Sequence, residues 1–395
     1  MRILIITFGA LLLWNNTIGQ QILSEEDYLK LAKNHPRFHA LDLSIEKNRL
    51  LERASFNIPN PNLLIENPTG EFYTVGVQQN IEFPAVYFKQ RDLARHRTKL
   101  AIIHKNLTSQ EINYEMRLAY LSAQAAQQNL TIAATIDSLF LLIYETTQRQ
   151  FESGQVNALI KTNAALEFGE ANTHYMQSEL ALQRALQKLE MYADQPGIIR
   201  VESLFVKSYD ILGESKRMDE SAFNKSPSYD YLTGSIELAN REVSLEKSKS
   251  WPGITFGYMN QSNKDSRFDS RFNAGLAIPL WIWQYTSSIQ AAKKEVDIAQ
   301  QSLLVQKKEY QMQLQSLLSE AAQYQKVIQY YEKQANQKAD ESIDMALRFF
   351  KAGQNDYVSY LRTFNQSFNI KKQYNDSIVN YNRTILQIQL LMGIL

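Results

Sequence analysis

The stretch from Pro84-Ala85-Val86-Tyr87-Phe88 to Arg149-Gln150-Phe151-Glu152-Ser153-Gly154 contains no Pro or Gly between its two ends. It is rich in Ala, Leu, Gln and Glu, residues that lose little on entering a helix. One helix over residues 85–153 would be about 100 Å long, far beyond the three or four turns of a globular helix. Leu100, Ile103, Leu107, Met116, Ala119, Ala123, Ala126, Leu130 and Ala133 recur at intervals of mostly three and four, with Arg, Lys, Gln and Glu between them. That spacing is a coiled-coil seam, and its alanines imply close helix approach.

The design returns in the second half. No Pro or Gly interrupts Pro279 to Gly353, where the seam reads Ile289, Val296, Ile298, Leu303, Leu314, Leu317, Ala321 and Tyr324. Pro227 opens a helix as Pro36 does, and Trp251-Pro252-Gly253 opens a strand as Asn60-Pro61-Asn62 does; both proline pairs are 191 residues apart. Ala277-Ile278-Pro279-Leu280 echoes Glu82-Phe83-Pro84-Ala85, and both long helices end in Phe-x-x-Gly-Gln, at Phe151 and at Phe350. These matches indicate an internal duplication. A leader over 1–20 precedes a first repeat over 21–195, with hairpin 61–84, long helix 85–153 and return helix 155–192. A connector over 196–226 leads to a second repeat over 227–395, with hairpin 252–279, long helix 280–352 and return helix 354–391. The shorter helices over about 24–54 and 156–192 together match the long helix in length, so stacked end to end they would run beside it.

Each hairpin alternates in polarity. Leu63, Ile65, Tyr73, Val75, Val77, Ile81 and Phe83 share one parity, against Asn62, Glu66, Thr74, Gln78, Asn80 and Glu82 on the other. Asn67-Pro68-Thr69-Gly70 supplies the turn. In the second hairpin the apolar set is Ile254, Phe256, Tyr258, Phe272, Ala274, Leu276 and Ile278.

Composition narrows the function. A net charge of +1 provides no basic excess for nucleic acid, and zero cysteines exclude disulfides, thiolate metal sites, Cys nucleophiles and lipidation on an N-terminal Cys. Arg2, the apolar run Ile3 to Trp14 and the small residues before Gln20 or Gln21 form a secretory leader; the run is too short for a membrane anchor. No further transmembrane helix is expected.

A two-stranded hairpin with one apolar face is not stable alone in water. With no partner strand expected inside the chain, it needs a closed sheet, and a bilayer tolerates strands only in closed barrels. Four strands cannot enclose a lumen, but a ring of chains can. Phe83, Tyr87, Phe88, Trp251, Trp281 and Trp283 fall at one end of the strands, as an interfacial aromatic belt requires. A soluble sheet with these aromatics in its core is the competing possibility.

With these features in order, the chain resembles the TolC family of outer-membrane efflux ducts over almost its whole mature length. The resemblance rests on the doubled order of elements, the strand exits Phe83-Pro84 and Ile278-Pro279, and the tips at Gly154 and Gly353. It implies a mainly α fold of long antiparallel coiled-coil helices with two small β-hairpins per chain. Three chains would form a 12-stranded outer-membrane β-barrel on an α-helical periplasmic tunnel. Implied partners are a periplasmic adaptor, docked at tips carrying Gly154, Gln155, Gly353 and Gln354, an inner-membrane RND-type pump and outer-membrane lipid. The segment Phe350 to Leu361 looks like ducts of heavy-metal cation efflux systems. Where the family often narrows its aperture with aspartates, this chain has Ser359 and Arg362, with Asp356 nearer the tip, which puts cation selection by an aspartate ring in doubt.

Glu66, Gln78 and Glu82 would line the barrel lumen, either as a cation-attracting wall or simply as a wet interior. His35 and His39 have a metal-compatible spacing, but Pro36 between them marks a helix start. No metal, cofactor or catalytic motif is expected, so an enzyme is the weakest hypothesis. The alternative of another class is a non-channel periplasmic coiled-coil adaptor or scaffold; adaptors usually carry one hairpin where this chain has two.

Overall fold

The computed structural model describes residues 22–33, 35–67, 73–193, 200–207, 223–260, 271–352 and 357–395. The expected leader, the expected turn at Pro68 to Gly70, most of the expected connector, and Gly353, Gln354 and Asp356 lie outside them. In order the elements are β1 (Ile22–Leu23), α1 (Glu25–Ala32), α2 (Pro36–Ala54), β2 (Asn62–Glu66), β3 (Thr74–Ile81), α3 (Pro84–Glu152), α4 (Ala158–Ala193), β4 (Arg200–Val201), α5 (Pro227–Lys249), β5 (Gly253–Asn260), β6 (Phe272–Ala277), α6 (Ile282–Tyr330), a π-helical turn (Tyr331–Ala335), α7 (Asn336–Lys351) and α8 (Tyr357–Met392). The first long helix is unbroken. The second is not, which corrects the expectation of one helix over 280–352.

The chain divides into two compact units, one of residues up to Ala32 with Ala119–Leu204, the other of Lys33–Leu118 with Phe205–Leu395. These units cut across the sequence repeats, and α3 contributes to both.

In the first unit, α4 runs antiparallel to the second half of α3. Asn172 donates to Asp137 at 3.1 Å and Phe168 stacks on Tyr144 with ring centres 5.7 Å apart. Short β1 pairs in parallel with β4, a pairing without a sequence signal. The Tyr120 hydroxyl ties that pair to α3: it donates to the Leu23 carbonyl at 2.6 Å and accepts from the Glu202 amide at 3.1 Å. Its ring lies beside fully buried Tyr28, and burial pushes the Tyr120 hydroxyl up to about 12. Gln124 donates to the carbonyls of Glu202 and Ser203, so polar groups buried with the extended segment are paired.

In the second unit, the first half of α3 exchanges ion pairs with two antiparallel neighbours. Arg37 and Asp42 of α2 pair with Glu115 and Lys105, and Asp92 pairs with Arg241 of α5 at 3.2 Å. Exposed pairs of this kind contribute little; between α3 and α5 the burial of Val86, Leu93 and Leu245 holds the contact. The two proline-opened helices are capped alike. His35 Nδ1 accepts from the Arg37 amide and the Ser226 hydroxyl from the Tyr229 amide, with Pro36 and Pro227 in the first turn. His35 therefore serves a helix start, and among the described residues no three potential metal ligands gather.

Helix α8 packs against both α6 and α7. Beside the π turn, Tyr331 donates to Gln373 at 2.9 Å and Tyr374 to Glu332 at 3.1 Å. Burial, then the Glu332 carboxylate, pushes the Tyr374 hydroxyl up to about 12. A π turn adds a residue without needing Gly or Pro, which is why the sequence did not reveal it. At the other end of α8, Asn382 clamps the chain by donating to the Phe205 carbonyl and accepting from the Lys207 amide.

Two apolar assignments are corrected. Ile298, placed in the seam, is 57% exposed: two residues past Val296, it falls on the far side of α6. Helix α3 also contains a stretch long and apolar enough to cross a membrane, although no such helix was expected.

Candidate functional site: a two-faced sheet and two helix tips

The hairpins do not stand apart. β3 pairs antiparallel with β5 from Val75 opposite Asn260 to Ile81 opposite Ile254, giving one four-stranded sheet in the order β2-β3-β5-β6. This corrects the expectation that neither hairpin has a partner within the chain. Among the described residues the outer edges of β2 and β6 have no partner strand, and open edges are templates for further strands.

Directly paired residues share a face, so the register fixes both surfaces. Leu63, Val77, Tyr258 and Phe272 form one row across all four strands, and Ile81, Ile254 and Leu276 another across three. Leu63, Ile65, Val75, Val77, Phe256, Phe272 and Leu276 are all exposed, Leu63 and Leu276 by about two thirds. Gln79 falls within this apolar face, and its side-chain amide is turned onto the Pro59 and Asn80 carbonyls. The opposite face carries Asn62, Glu66, Thr74, Gln78, Asn80 and Thr255, with Thr255 donating to Asn80 at 3.1 Å. Glu66 and Gln78 thus lie on the polar face. Glu82 follows β3, and its amide donates to the Tyr87 hydroxyl at 3.0 Å.

The polar face also holds Gly76, Gly253, Gly257 and Gly275. A Cβ at Gly76 would stand 2.8 Å from the Tyr258 carbonyl oxygen and one at Gly257 2.0 Å from Asn273 Oδ1. Small residues therefore keep this side open for polar groups. Each glycine falls at the polar parity of its own strand, which is legible in the sequence.

At the strand exits, Phe83 stacks on Trp251 with ring centres 5.0 Å apart, and Trp281 meets Trp283 at 5.1 Å. Trp251, Trp281, Trp283 and Phe88 are exposed by 58% or more. Tyr87, expected among them, is 4% exposed and packs on Phe56, so it is corrected to a core residue.

The tip at Gly154 has a positive φ of 75°, with the Gly154 amide bonded to the Phe151 carbonyl and the Gln155 amide to the Gln150 carbonyl. These bonds make a Schellman turn. Lys161 of α4 lies over the Phe151 ring at 4.7 Å, which gives the Phe of the tip motif a cation partner. In the second tip, Phe350 is buried edge-on against Tyr360 at 5.8 Å. Gly154 and Gln155 are exposed, and a Cβ at Gly154 would meet nothing within 4 Å. Gly154→Val is expected to cost only the backbone strain, about 1 to 2 kcal/mol, and to leave the sheet intact. Hydrogen exchange should show faster opening confined to residues around 150–160; loss of protection in the strands would contradict this.

Of the residues expected at an aperture, Ser359 and Arg362 lie exposed on the first two turns of α8, while Tyr357, Tyr360 and Phe364 are buried on its other side. Asp356 lies outside the described residues.

The sequence matches no family model and no curated protein. Solved structures do match. The Campylobacter jejuni CmeC outer membrane channel aligns with a TM-score of 0.77 at 13% identity, over 93% of this chain and 85% of that one. VceC, an outer membrane protein from Vibrio cholerae, aligns at 0.76 and 12%, over 93% and 96%. The open-state MtrE outer membrane channel of Neisseria gonorrhoeae aligns at 0.74 and 12%, over 93% and 88%. At such low identity and near-complete coverage, what is shared is the architecture: this chain has the fold of these outer-membrane channels.

Proposed function

We propose that the protein is the outer-membrane channel of a tripartite efflux system. It would act as a passive homotrimeric duct from an inner-membrane RND-type pump and a periplasmic adaptor to the exterior. The carrying observation is the sheet: four paired strands with an exposed apolar face, a polar glycine-rich face and two open edges. An open edge buried in lipid leaves backbone groups unsatisfied, so β2 of one copy must close on β6 of the next. Three copies give a 12-stranded barrel with Glu66, Gln78 and Glu82 toward the lumen and Phe83, Phe88, Trp251, Trp281 and Trp283 at one membrane interface. The apolar stretch of α3 is then coiled coil, and the strands alone cross the bilayer. Exposed Leu43, Leu50, Ile298 and Val305 on α2 and α6 are left for neighbouring copies to cover.

In this assembly Gly154 and Gln155, with Gly353 and Gln354, form the adaptor-docking tips, and Asp356, Ser359 and Arg362 line the aperture. The tip segment's resemblance to metal-efflux ducts makes heavy-metal cations the favoured cargo. A passive duct of this kind needs neither catalysis nor a cofactor.

Fractionation and planar-bilayer recording test the function. The protein should leave outer membranes only in detergent, run as a trimer and conduct as single channels. Release by high salt as a non-conducting monomer would instead indicate the periplasmic adaptor.

A further inference from the structure

Below the strand exit, Phe88, Arg91, Arg95 and Lys99 recur at three and four residues and share one exposed face of α3. Among the described residues, Arg91, Arg95 and Lys99 have no ion pair, whereas their neighbours Asp92 and Arg97 are engaged with Arg241 and Glu242 of α5. The second repeat is an internal control. Counting from Pro279 as from Pro84, α6 places Trp283, Thr286, Gln290 and Lys294 on the equivalent stripe, and Lys294 is bound to Asp297 at 2.9 Å. The aromatic recurs and the two arginines do not. A long helix of this design therefore folds without them, and they are spare for a ligand.

Position identifies the ligand. At 1.5 Å per residue Arg91 lies about 10 Å and Arg95 about 16 Å below Pro84. The headgroup layer beyond the hydrocarbon is roughly 5 to 7 Å deep on each side. Helical side chains lean toward the N-terminus, here toward the strands, and an arginine spans about 6 Å, so the Arg91 guanidinium reaches back into that layer while that of Arg95 ends a few Å short of it, within a Debye length. Lys99 is deeper, close to a Debye length of about 8 Å from it. Guanidinium groups bind phosphate in bidentate fashion, and exposed Phe88 sits at the boundary between acyl chain and headgroup.

We propose that Arg91, supported by Arg95 and Lys99, binds the phosphate of anionic phospholipids in the leaflet nearest the helices. This rests on the sheet's being the membrane-spanning part. Each basic residue at an anionic surface contributes about 1 kcal/mol, or roughly fivefold, so two should produce a preference of about tenfold or more.

The test uses full-length trimers in phosphatidylethanolamine vesicles with and without phosphatidylglycerol, either lipid carrying brominated acyl chains. Quenching of the exposed tryptophans reports which lipid is enriched at the belt. Wild type should prefer brominated phosphatidylglycerol about tenfold, and less so in high salt. Arg91→Thr with Arg95→Gln, which copies the α6 stripe, should bring the preference near unity without loss of trimer in detergent. Arg91→Lys with Arg95→Lys should keep most of it. An unchanged preference in the Thr/Gln variant would overturn the proposal. So would loss of trimer in lipid-free detergent, which would assign the stripe to a second copy. Inorganic phosphate abolishing the preference at matched ionic strength would assign it to free phosphate. Equal quenching by both lipids in wild type sinks this inference alone; no quenching by either sinks the membrane-spanning sheet as well.

Discussion

Val77→Arg should abolish membrane assembly while Gln78→Arg, one residue on, leaves it nearly intact. Val77 lies between Leu63 and Tyr258 in the middle of the exposed apolar face; in the proposed barrel that is mid-depth, where an arginine on the lipid side costs about 2 to 4 kcal/mol. In the proposed trimer three copies carry the change, so the cost is borne three times over, and long-side-chain snorkelling recovers little at mid-depth. Gln78 is on the other face, between Asn62 and Gly257, where water solvates the new charge. Leu276→Arg, in a row with Ile254 and Ile81 beside the strand exits, should cost less, because the penalty falls toward the interface. The measurement is the fraction of protein recovered as detergent-resistant trimer from outer membranes. If the two parities behave alike, the sheet does not have one face in lipid.

Gly393→Val should be the most destabilising glycine replacement in the helices, even though the residue lies next to the C-terminus. Gly393 has φ of +72° and closes α8 with the same two bonds as Gly154, from its own amide to the Leu390 carbonyl and from the Ile394 amide to the Gln389 carbonyl. Unlike Gly154, it is enclosed: a Cβ there would lie 2.3 Å from Pro227 Cδ and 2.9 Å from Cγ. That ring opens α5 and cannot rotate away. Gln110 of α3 also donates to the Gly393 carbonyl at 2.9 Å, so movement would break a second contact. Backbone strain of about 1 to 2 kcal/mol and overpacking of about 1 to 3 together predict roughly 2 to 5 kcal/mol. Thermal unfolding in detergent should therefore shift far more for Gly393→Val than for Gly154→Val. Equal shifts would mean that the Pro227 contact yields easily.

The sequence by itself determined the long helices, the duplicated order and the two-faced strands. Those depend on local rules: absence of Pro and Gly, spacing of three and four, and alternation of two. It also located the helix start at His35-Pro36 and the turn at Gly154, because a proline's φ and a glycine's left-handed φ are single-residue properties. Pairing was decided by the tertiary structure. That β3 joins β5 depends on residues some 180 positions apart meeting in one register, and no local pattern states which edges meet. The same holds for Tyr87 and Ile298. Their chemistry suits either a lipid belt or a seam, and only the direction each side chain takes from its helix buries one and exposes the other. The π turn at Tyr331, the clamp by Asn382 and the enclosure of Gly393 by Pro227 likewise arise where distant backbone and side chains compete for the same space, a competition that no single stretch of sequence records.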